Sequence, residues 1–256
     1  MRLCFAHFSC VKKNYKLHCD RKKQGINNEK NYSYRWQRWS GTSFCRTLRH
    51  PQGGGITVVN ISRTPCLVPN VTNIKCDLSV QSDIDSAVKE IQNSHSNFDA
   101  IINTAAIVGM EKINEITFEK FNRTWQVNAV APLYFLSRLY DDIVRNEADI
   151  LNVGATIDLG TGPVDMLAYT ATKHGLKGGT YNFGMELKNT NSRAIYVHCG
   201  GMNTKMHQKD YGVKIEDPNA WMSPQEIAKI LLYLIELPKQ IEISDITINR
   251  KGRRYG

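Results

Sequence analysis

The runs Ile150-Leu-Asn-Val153 and Ala194-Ile-Tyr-Val-His198 flank a longer segment, Met166 to Leu187, that can form a helix. Short apolar, β-branched runs predict buried strands, and a helix between two of them predicts a parallel pair joined by a crossover connection. Residues 150–198 therefore predict the repeating unit of an α/β fold.

The same alternation extends in both directions, from about Gly55 to Ile248. We predict four further strands and three further helices, with strands at Ile56–Ile61, Asn73–Cys76, Asp99–Asn103 and Ile243–Ile248 and helices at Gln81–Ser94, Phe118–Arg145 and Pro224–Ile235. The last helix has a capping signature, because Ser223 precedes a proline and Glu226 follows three residues later. The pattern predicts a doubly wound parallel sheet in a single α/β domain.

The positive charge of the chain is confined to its N-terminal fifth. The formal net charge is +9, but residues 1–50 contain 12 Lys or Arg and two Asp or Glu, against 21 and 22 in the rest. Residues 51–256 are thus near neutral and do not predict a nucleic-acid partner. The alternative for the first segment is a basic arm, since Arg35-Trp-Gln-Arg38-Trp39 interleaves cations and aromatic rings as single-strand or RNA-binding segments do.

The cysteines and the hydropathy of the chain predict a protein with reduced thiols and without a membrane span. Seven scattered cysteines form an odd set in a chain large enough to need no disulfide staples, which favours free thiols and a cytoplasmic protein. No apolar run approaches the roughly 20 residues of a membrane span. Cys10, His18 and Cys19 do not have a known zinc spacing, so we expect no metal site.

The segment Tyr169-Thr-Ala-Thr-Lys173-His-Gly carries the sharpest chemical signal. A spacing of four within a helix places both side chains on one face. A phenol titrates near pH 10, so a tyrosine that acts as a base at neutral pH needs a nearby positive charge. Lys173 can supply it, and the pair is a candidate acid/base unit.

In this context the chain resembles the short-chain dehydrogenase/reductase family, which carries a Tyr-x-x-x-Lys signature. Four further segments match that family in order: Cys76-Asp77-Leu78, Asn103-Thr-Ala-Ala106, Gln126-Val-Asn128 and Cys199-Gly-Gly-Met-Asn-Thr204. The resemblance covers roughly residues 55–249. It implies a Rossmann-like NAD(P)-binding catalytic domain over residues 41–256, preceded by an irregular basic segment, residues 1–40.

The resemblance also implies the roles of individual residues. Tyr169 would exchange the hydroxyl proton, Lys173 would hold the nicotinamide ribose, and Asn128 would hold a water in a proton relay. On the cofactor side, the family pattern places Asp77 at the adenine, Asn103 and Ala105 in the wall of the adenosine pocket, and Thr204 at the nicotinamide amide.

The position of the family's catalytic serine is ambiguous in this chain. Counting 13 residues back from Tyr169 gives Thr156, whose hydroxyl can donate to a substrate carbonyl as serine does. Counting forward from Asn152 gives Ala155 instead, which has no donor. We predict Thr156, and with Ala155 in that position reductase activity would be weakened.

The end of the second strand favours NADP(H) over NAD(H). An NAD site places a carboxylate there to accept from the ribose hydroxyls, and that carboxylate would repel a 2′-phosphate. This chain has Ser62-Arg63 instead, and Arg63 can make a charge-assisted contact with the phosphate.

The glycine-rich phosphate loop that such a fold requires is absent from the sequence as written. Residues 31–41 read Asn-Tyr-Ser-Tyr-Arg-Trp-Gln-Arg-Trp-Ser-Gly, with Gly41 the one candidate for the last glycine of the turn. A shift of one nucleotide allows residues 31–40 to encode T-I-V-I-G-G-S-G-G-V, and the single tryptophan codon makes glycine obligatory at Trp36 and Trp39. We hypothesise that residues 1–40 are translated in the wrong frame.

The expected function is hydride transfer between NADP(H) and a small carbonyl or secondary alcohol. The family resemblance implies a homodimer or homotetramer. The alternative is a catalytically silent nucleotide-binding or interaction protein on the same scaffold, favoured by the missing loop and by the ambiguity over Thr156.

Overall fold

Within residues 56–204, 206 and 221–251, which this computed structural model describes, the strands pair in parallel. The strands are β1 (Val58–Ser62), β2 (Val71–Lys75), β3 (Ala100–Asn103), β4 (Asp149–Val153), β5 (Arg193–Cys199) and β6 (Asp245–Ile248). β1 pairs with β2, and the other four strands form a sheet of order β3-β4-β5-β6. The doubly wound parallel arrangement is confirmed, with strand ends within about two residues of the predicted ones.

Both faces of β1, β3, β4 and β5 are buried, as continuous apolar character predicts, whereas β2 and β6 have exposed residues. On one face, Ile61, Ile101 and Ile150 pack against the first helices of the fold. On the other, Leu151 and Ile195 pack against the last helix. Each fully buried isoleucine contributes roughly 1.5–3 kcal/mol to folding, so the two layers supply most of the stability that holds the sheet.

The helices lie on the two faces of this sheet. They are α1 (Gln81–Ser94), α2 (Phe118–Trp125), α3 (Ala131–Arg138), α4 (Tyr140–Arg145), α5 (Leu167–Glu186) and α6 (Pro224–Glu236). α1 begins and ends as predicted, and α5 and α6 differ from the prediction by one residue at their ends.

The prediction of one continuous helix over Phe118–Arg145 is wrong. A π turn, Gln126–Val130, separates α2 from α3, and the chain leaves helical geometry again at Leu139. The π turn contains Asn128, whose amide group bonds both backbone groups of Ile107. The tertiary bonds of this one side chain explain why the helix widens there.

The prediction that the Ser223 hydroxyl caps α6 is also wrong, because the hydroxyl has a different partner. Ser223 is the N-cap residue and Pro224 occupies the first turn, as expected. However, the Ser223 hydroxyl donates to the side chain of Gln225 at 2.8 Å rather than accepting from a backbone N–H. The amide oxygen of Gln225 is thus the partner of the hydroxyl in place of the helix backbone.

A buried ion pair fixes the end of the sheet at which β4 and β5 begin. Arg193 donates to both carboxylate oxygens of Asp149, at 3.0 and 2.8 Å, and Lys239 donates to the same group at 2.7 Å. Arg193 also donates to four carbonyls at the end of α6 and beyond: Leu234, Leu237, Pro238 and Ile241. Removal of one partner of such a pair typically costs 3–5 kcal/mol.

β1 and β3 share both core layers without pairing. Val59 packs in the same layer as Ile101, and Val58 in the same layer as Ile102. Within the described ranges, however, no strand ladder joins β1 to β3. The two sheets therefore share the same two core layers, and the strand pairing is interrupted between β1 and β3.

Candidate active site

The predicted site residues gather at the end of the sheet where the strands finish. Ser62 ends β1, Asn103 ends β3, and Asp77 lies two residues after the end of β2. Thr156 follows β4, and Thr204 follows β5. In open parallel sheets, ligands bind in the crevice outside these carboxyl ends. Gly41 lies outside the described residues.

Tyr169 and Lys173 lie on one face of α5 and are both buried. The Nζ atom of Lys173 lies 5.5 Å from the centroid of the Tyr169 ring and donates to the carbonyl of Val153, at the end of β4, at 3.1 Å. The structure thus brings the two predicted acid/base residues together and anchors the lysine to the sheet.

Burial lowers the pKa of Lys173 from its usual 10.5 to about 8, against the opposing effect of nearby negative charge. An ammonium group loses hydration when it is buried, which favours the neutral amine. The side chain is thus close to its titration point at physiological pH, which is where acid/base groups are most effective.

Asn128 connects the π turn to two neighbouring elements. Its Oδ1 accepts from the backbone N–H of Ile107 and its Nδ2 donates to the Ile107 carbonyl, both at 2.8 Å. The same amide nitrogen donates to the hydroxyl of Thr172, the residue before Lys173, at 3.2 Å. Asn128 therefore positions the segment after β3 against the helix that carries Tyr169 and Lys173.

The turn after β4 places the two candidates for the serine position differently. Ala155 is buried in an apolar cluster with Val108, Met166 and Tyr169. Thr156 is half-buried and begins the 3₁₀ turn Thr156–Leu159. Thr156 is the candidate that carries a hydroxyl, whereas Ala155 is the one that packs with the tyrosine.

The apolar cluster around Tyr169 extends to partly buried neighbours. Ala106, Ile157 and Met206 pack against it. These side chains come from the segments after β3, β4 and β5, so the tyrosine is surrounded on several sides by hydrocarbon. This environment suits an apolar molecule close to the phenol.

Arg63 and Asp77 face each other at the ends of β1 and β2. The guanidinium lies 3.8 Å from the carboxylate, with about half of the Arg63 side chain exposed. Partial burial acts to raise the pKa of Asp77, but hydrogen bonds from Ser79 and the charges of Arg63 and Arg123 lower it below its usual value. Asp77 is thus held as an anion, and Arg63 keeps exposed donors for a further ligand.

Asn103 carries a buried donor with no partner in the described part of the chain. Its Oδ1 accepts from the N–H of Ala105 at 3.2 Å, which fixes the turn after β3. Its Nδ2 is fully buried and unbonded. An unsatisfied buried N–H costs about 1–3 kcal/mol, so this atom marks a place where a ligand oxygen or nitrogen can be accommodated.

The remaining predicted residues are engaged locally or lie at the edge of the described part. The Ser62 hydroxyl accepts from Asn60 at 3.0 Å and donates to the carbonyl of Thr64, so it stabilises the turn after β1. Thr204 is buried and follows the bridge between Met202 and Met222.

Three buried residues that the sequence interpretation missed lie behind the lysine. Asp158 accepts from the hydroxyl of Tyr196 at 2.6 Å and contacts Nδ1 of His198. The tyrosine ring fills the space beside Gly154, where an added Cβ would lie 2.0 Å from the Tyr196 hydroxyl. Tyr196 and His198 are two residues apart in β5 and so share a face, a polar signal that was readable in the predicted strand.

Two kinds of site are not found in the described ranges. No group of three or more His, Cys, Asp or Glu residues there could hold a metal ion. No described helix is long and apolar enough to cross a bilayer.

Two relatives illustrate the similarity to characterised proteins. A short chain dehydrogenase of Penicillium brasilianum, prhI, is 28% identical over 162 residues, which are 61% of this chain and 63% of the relative's length. Carbonyl reductase family member 4 of Xenopus tropicalis is 25% identical over 169 residues, 64% of this chain and 71% of that protein. The chain thus spans less than two thirds of the Penicillium relative.

A solved structure has the same fold over most of the chain. The alcohol dehydrogenase from the archaeon Thermococcus sibiricus, complexed with 5-hydroxy-NADP, superposes with a TM-score of 0.71 at 17% identity. The match covers 84% of this chain and 94% of the archaeal one. At this identity the likeness establishes the Rossmann fold.

The family model for short chain dehydrogenases matches residues 52–212, from just before β1 to beyond β5. That range is more than half of the chain and contains the tyrosine and lysine of α5 together with the turns after β1 to β5. The chain therefore belongs to the short-chain dehydrogenase/reductase family of oxidoreductases.

Proposed function

We propose that this protein is an NADP(H)-dependent oxidoreductase that interconverts a carbonyl compound and a secondary alcohol. The observation that carries the proposal is the buried pair in α5, with Lys173 Nζ at 5.5 Å from the Tyr169 ring at the carboxyl end of the sheet. A bound nicotinamide supplies the hydride chemistry, and the protein supplies position and electrostatics.

Tyr169 is the proposed proton donor in reduction and the proton acceptor in oxidation. Tyr169 is buried in one apolar cluster with Val108, Ala155 and Met166, and a charge acts more strongly on a neighbouring group in such surroundings than in water. Lys173 places a positive charge on the same helical face and stabilises the tyrosinate. Its remaining N–H groups are the donors we assign to the nicotinamide ribose.

Thr156 is the proposed donor to the substrate oxygen, since it carries the hydroxyl of the turn Gly154–Thr156. Such a donor stabilises the charge that develops on the carbonyl oxygen. Asn128 is proposed to support the proton relay, and its bonds to Ile107 and Thr172 hold it between the two walls of the site.

The adenosine end fits a phosphorylated dinucleotide. Arg63 is exposed after β1 and can pair with a 2′-phosphate, because it keeps free donors beside Asp77, which lies 3.8 Å away, and β1 itself ends in Ser62 rather than in a carboxylate. Asp77 and Ala105 are proposed at the adenine and the adenosine wall, respectively. The unpartnered Nδ2 of Asn103 supports a bound ligand at this edge.

Homodimer or homotetramer formation is part of the proposal. Apolar side chains remain exposed on the outer helices, among them Phe118, Val130 and Met185 on α2, the π turn and α5. Apolar residues on adjacent helices are typical of self-association surfaces.

Fluorescence titration of the full chain with NADPH tests the cofactor assignment. We expect saturable binding with a weaker response to NADH. Absence of saturable binding to either nucleotide would contradict the oxidoreductase proposal for this polypeptide.

A second candidate function is a nucleotide-binding protein without turnover. It is favoured by the absence of a glycine-rich loop from the sequence and by the presence of Ala155, which has no hydroxyl, in the apolar cluster of Tyr169. This candidate predicts NADPH binding with no NADPH consumption in the presence of aldehydes or ketones.

A further inference from the structure

A buried carboxylate lies behind the proposed catalytic pair. Asp158 belongs to the 3₁₀ turn after β4, and its side chain is fully buried. Oδ2 accepts from the Ala155 N–H at 3.1 Å and from the Tyr196 hydroxyl at 2.6 Å, while Oδ1 contacts Nδ1 of His198. Three polar groups from two elements thus hold one acidic side chain in a fixed orientation.

The same network reaches Lys173. The Tyr196 hydroxyl, which donates to Asp158 at 2.6 Å, also lies 3.0 Å from the backbone carbonyl of Lys173, so the phenol stands between the acidic residue and the helix that carries the lysine. Burial raises the pKa of Tyr196, which keeps this bridge uncharged. Asp158 is therefore tied to the backbone of the residue whose side-chain charge the proposed mechanism needs.

The titratable groups around the Lys173 side chain can be named from each packed element. Tyr169 lies on its own helix, Asp158 in the 3₁₀ turn, and Cys199 with Tyr196 and His198 on β5. Around Asp158 itself, Lys177 of α5 donates to its backbone carbonyl at 3.3 Å, and Asp245 of β6 lies 3.8 Å from Nε2 of His198. β4 contributes the uncharged carbonyl of Val153. Asp158 and Cys199 are the two groups whose negative charge favours the protonated lysine.

Cys199 does not carry that charge near neutral pH. Burial raises the pKa of its thiol to about 12, so the sulfur stays protonated wherever the lysine titrates. Asp158 is thus the candidate counter-charge among the described neighbours of Lys173.

We propose that Asp158 is a positioning residue that keeps the side chain of Lys173 protonated in its buried site, with Tyr196 and His198 fixing its carboxylate. The proposal rests on the proposed function for the catalytic role of Lys173, but the electrostatic influence of Asp158 on the lysine can be measured without turnover. Without Asp158, burial alone would favour the neutral amine, which cannot stabilise a tyrosinate.

The test compares Asp158→Asn with Asp149→Asn in the full chain. Both exchanges remove a fully buried carboxylate. Asp158 lies after the last residue of β4, whereas Asp149 is the first residue of that strand and pairs with Arg193. Two quantities are followed against pH: the free energy of unfolding in urea, and kcat/KM with NADPH and an aldehyde.

For Asp158→Asn we expect the alkaline fall of kcat/KM to move to lower pH by about one unit. The free energy of unfolding rises with pH as the folded protein releases the proton of Lys173. The onset of this rise should also move about one unit lower, because the lysine loses its proton at lower pH when the counter-charge is removed. In Asp149→Asn both midpoints should stay at the wild-type pH. A folded Asp158→Asn variant with unchanged midpoints would overturn the proposal.

Two further measurements cover the cases in which the variant does not fold or the wild-type chain shows no turnover. If Asp158→Asn does not fold, the exchange is repeated in the Lys173→Met background, where no buried ammonium needs a counter-charge. Folding of that double variant supports the proposal, and its failure to fold assigns Asp158 a purely structural role. If the wild-type chain shows no turnover, the proposed function fails, while the unfolding titration still decides the Asp158–Lys173 pair.

Discussion

The Nζ atom of Lys173 lies 5.5 Å from the centre of the Tyr169 ring, and both side chains are buried in the same face of α5. A charge acts more strongly on a neighbouring group when water is excluded from both. The hydrogen bond from Lys173 to Val153 prevents the lysine from swinging away towards solvent. The relationship between these two residues is the basis of the proposed chemistry.

The lowered pKa of Lys173 predicts how stability depends on pH. Burial lowers it to about 8 in the folded protein, whereas the lysine of the unfolded chain keeps its proton up to about 10.5. Between these values the unfolded state binds more protons, so the contribution of this group to the free energy of unfolding rises with pH, by about 3 kcal/mol in all. Urea unfolding from pH 7 to 11 measures it. Lys173→Met should remove this rise, and an unchanged slope in that variant would contradict the assignment.

The hydroxyl of Thr156 is predicted to contribute to turnover. Thr156→Ala should lower kcat/KM by about 10²–10³-fold, the usual cost of losing one donor to a developing oxyanion, while Thr156→Ser should retain activity. NADPH consumption with an aldehyde measures both. Ala155→Ser is the matched comparison. If Thr156→Ala were neutral and Ala155→Ser raised activity, the donor would belong at position 155.

Arg63 is predicted to select the cofactor. Arg63→Ala should weaken NADPH binding by roughly tenfold or more through loss of a charge-assisted contact, with NADH binding little changed. Fluorescence titration measures both dissociation constants. Arg138→Ala removes an equal charge from the exposed end of α3 and should alter neither. Equal losses for both nucleotides would indicate that Arg63 does not contact a 2′-phosphate.

We predict that the transcript encodes a different N-terminal sequence, because residues 1–40 are translated in the wrong reading frame. The family match begins at residue 52, and in the described ranges no strand ladder joins β1 to β3 although they share both core layers. The proposed reframed segment contains an apolar strand and a glycine-rich turn. Sequencing the transcript across the codons of Trp36 and Trp39 tests this. An intact open frame through both would refute it.

The fold was predictable because its signal is local. Continuous apolar runs such as Ile150–Val153 predict strands buried on both faces, and the structure places β4 there. The break of the long helix was not predictable from periodicity. It depends on the bonds between Asn128 and Ile107, which lie 21 residues apart in the chain.

The candidate site was predictable in part for a similar reason. Tyr169 and Lys173 share a helix, so their spacing alone predicts that they meet. Asp158, by contrast, meets His198 from 40 residues away, across a sheet ladder. Tyr196 and His198 on one face of a predicted strand indicate that the interior beside that face contains polar groups. The identity of their partner, Asp158, depends on the tertiary fold.

The most direct test of the account is NADPH consumption by the full chain and by Tyr169→Phe, assayed side by side with a panel of aldehydes and ketones. The exchange removes the one oxygen that the proposed proton transfer requires and keeps the ring in its apolar cluster. We predict turnover by the wild-type chain and a loss of at least about 10²-fold in the variant, with the dissociation constant for NADPH unchanged. Equal turnover by the two proteins would contradict the account.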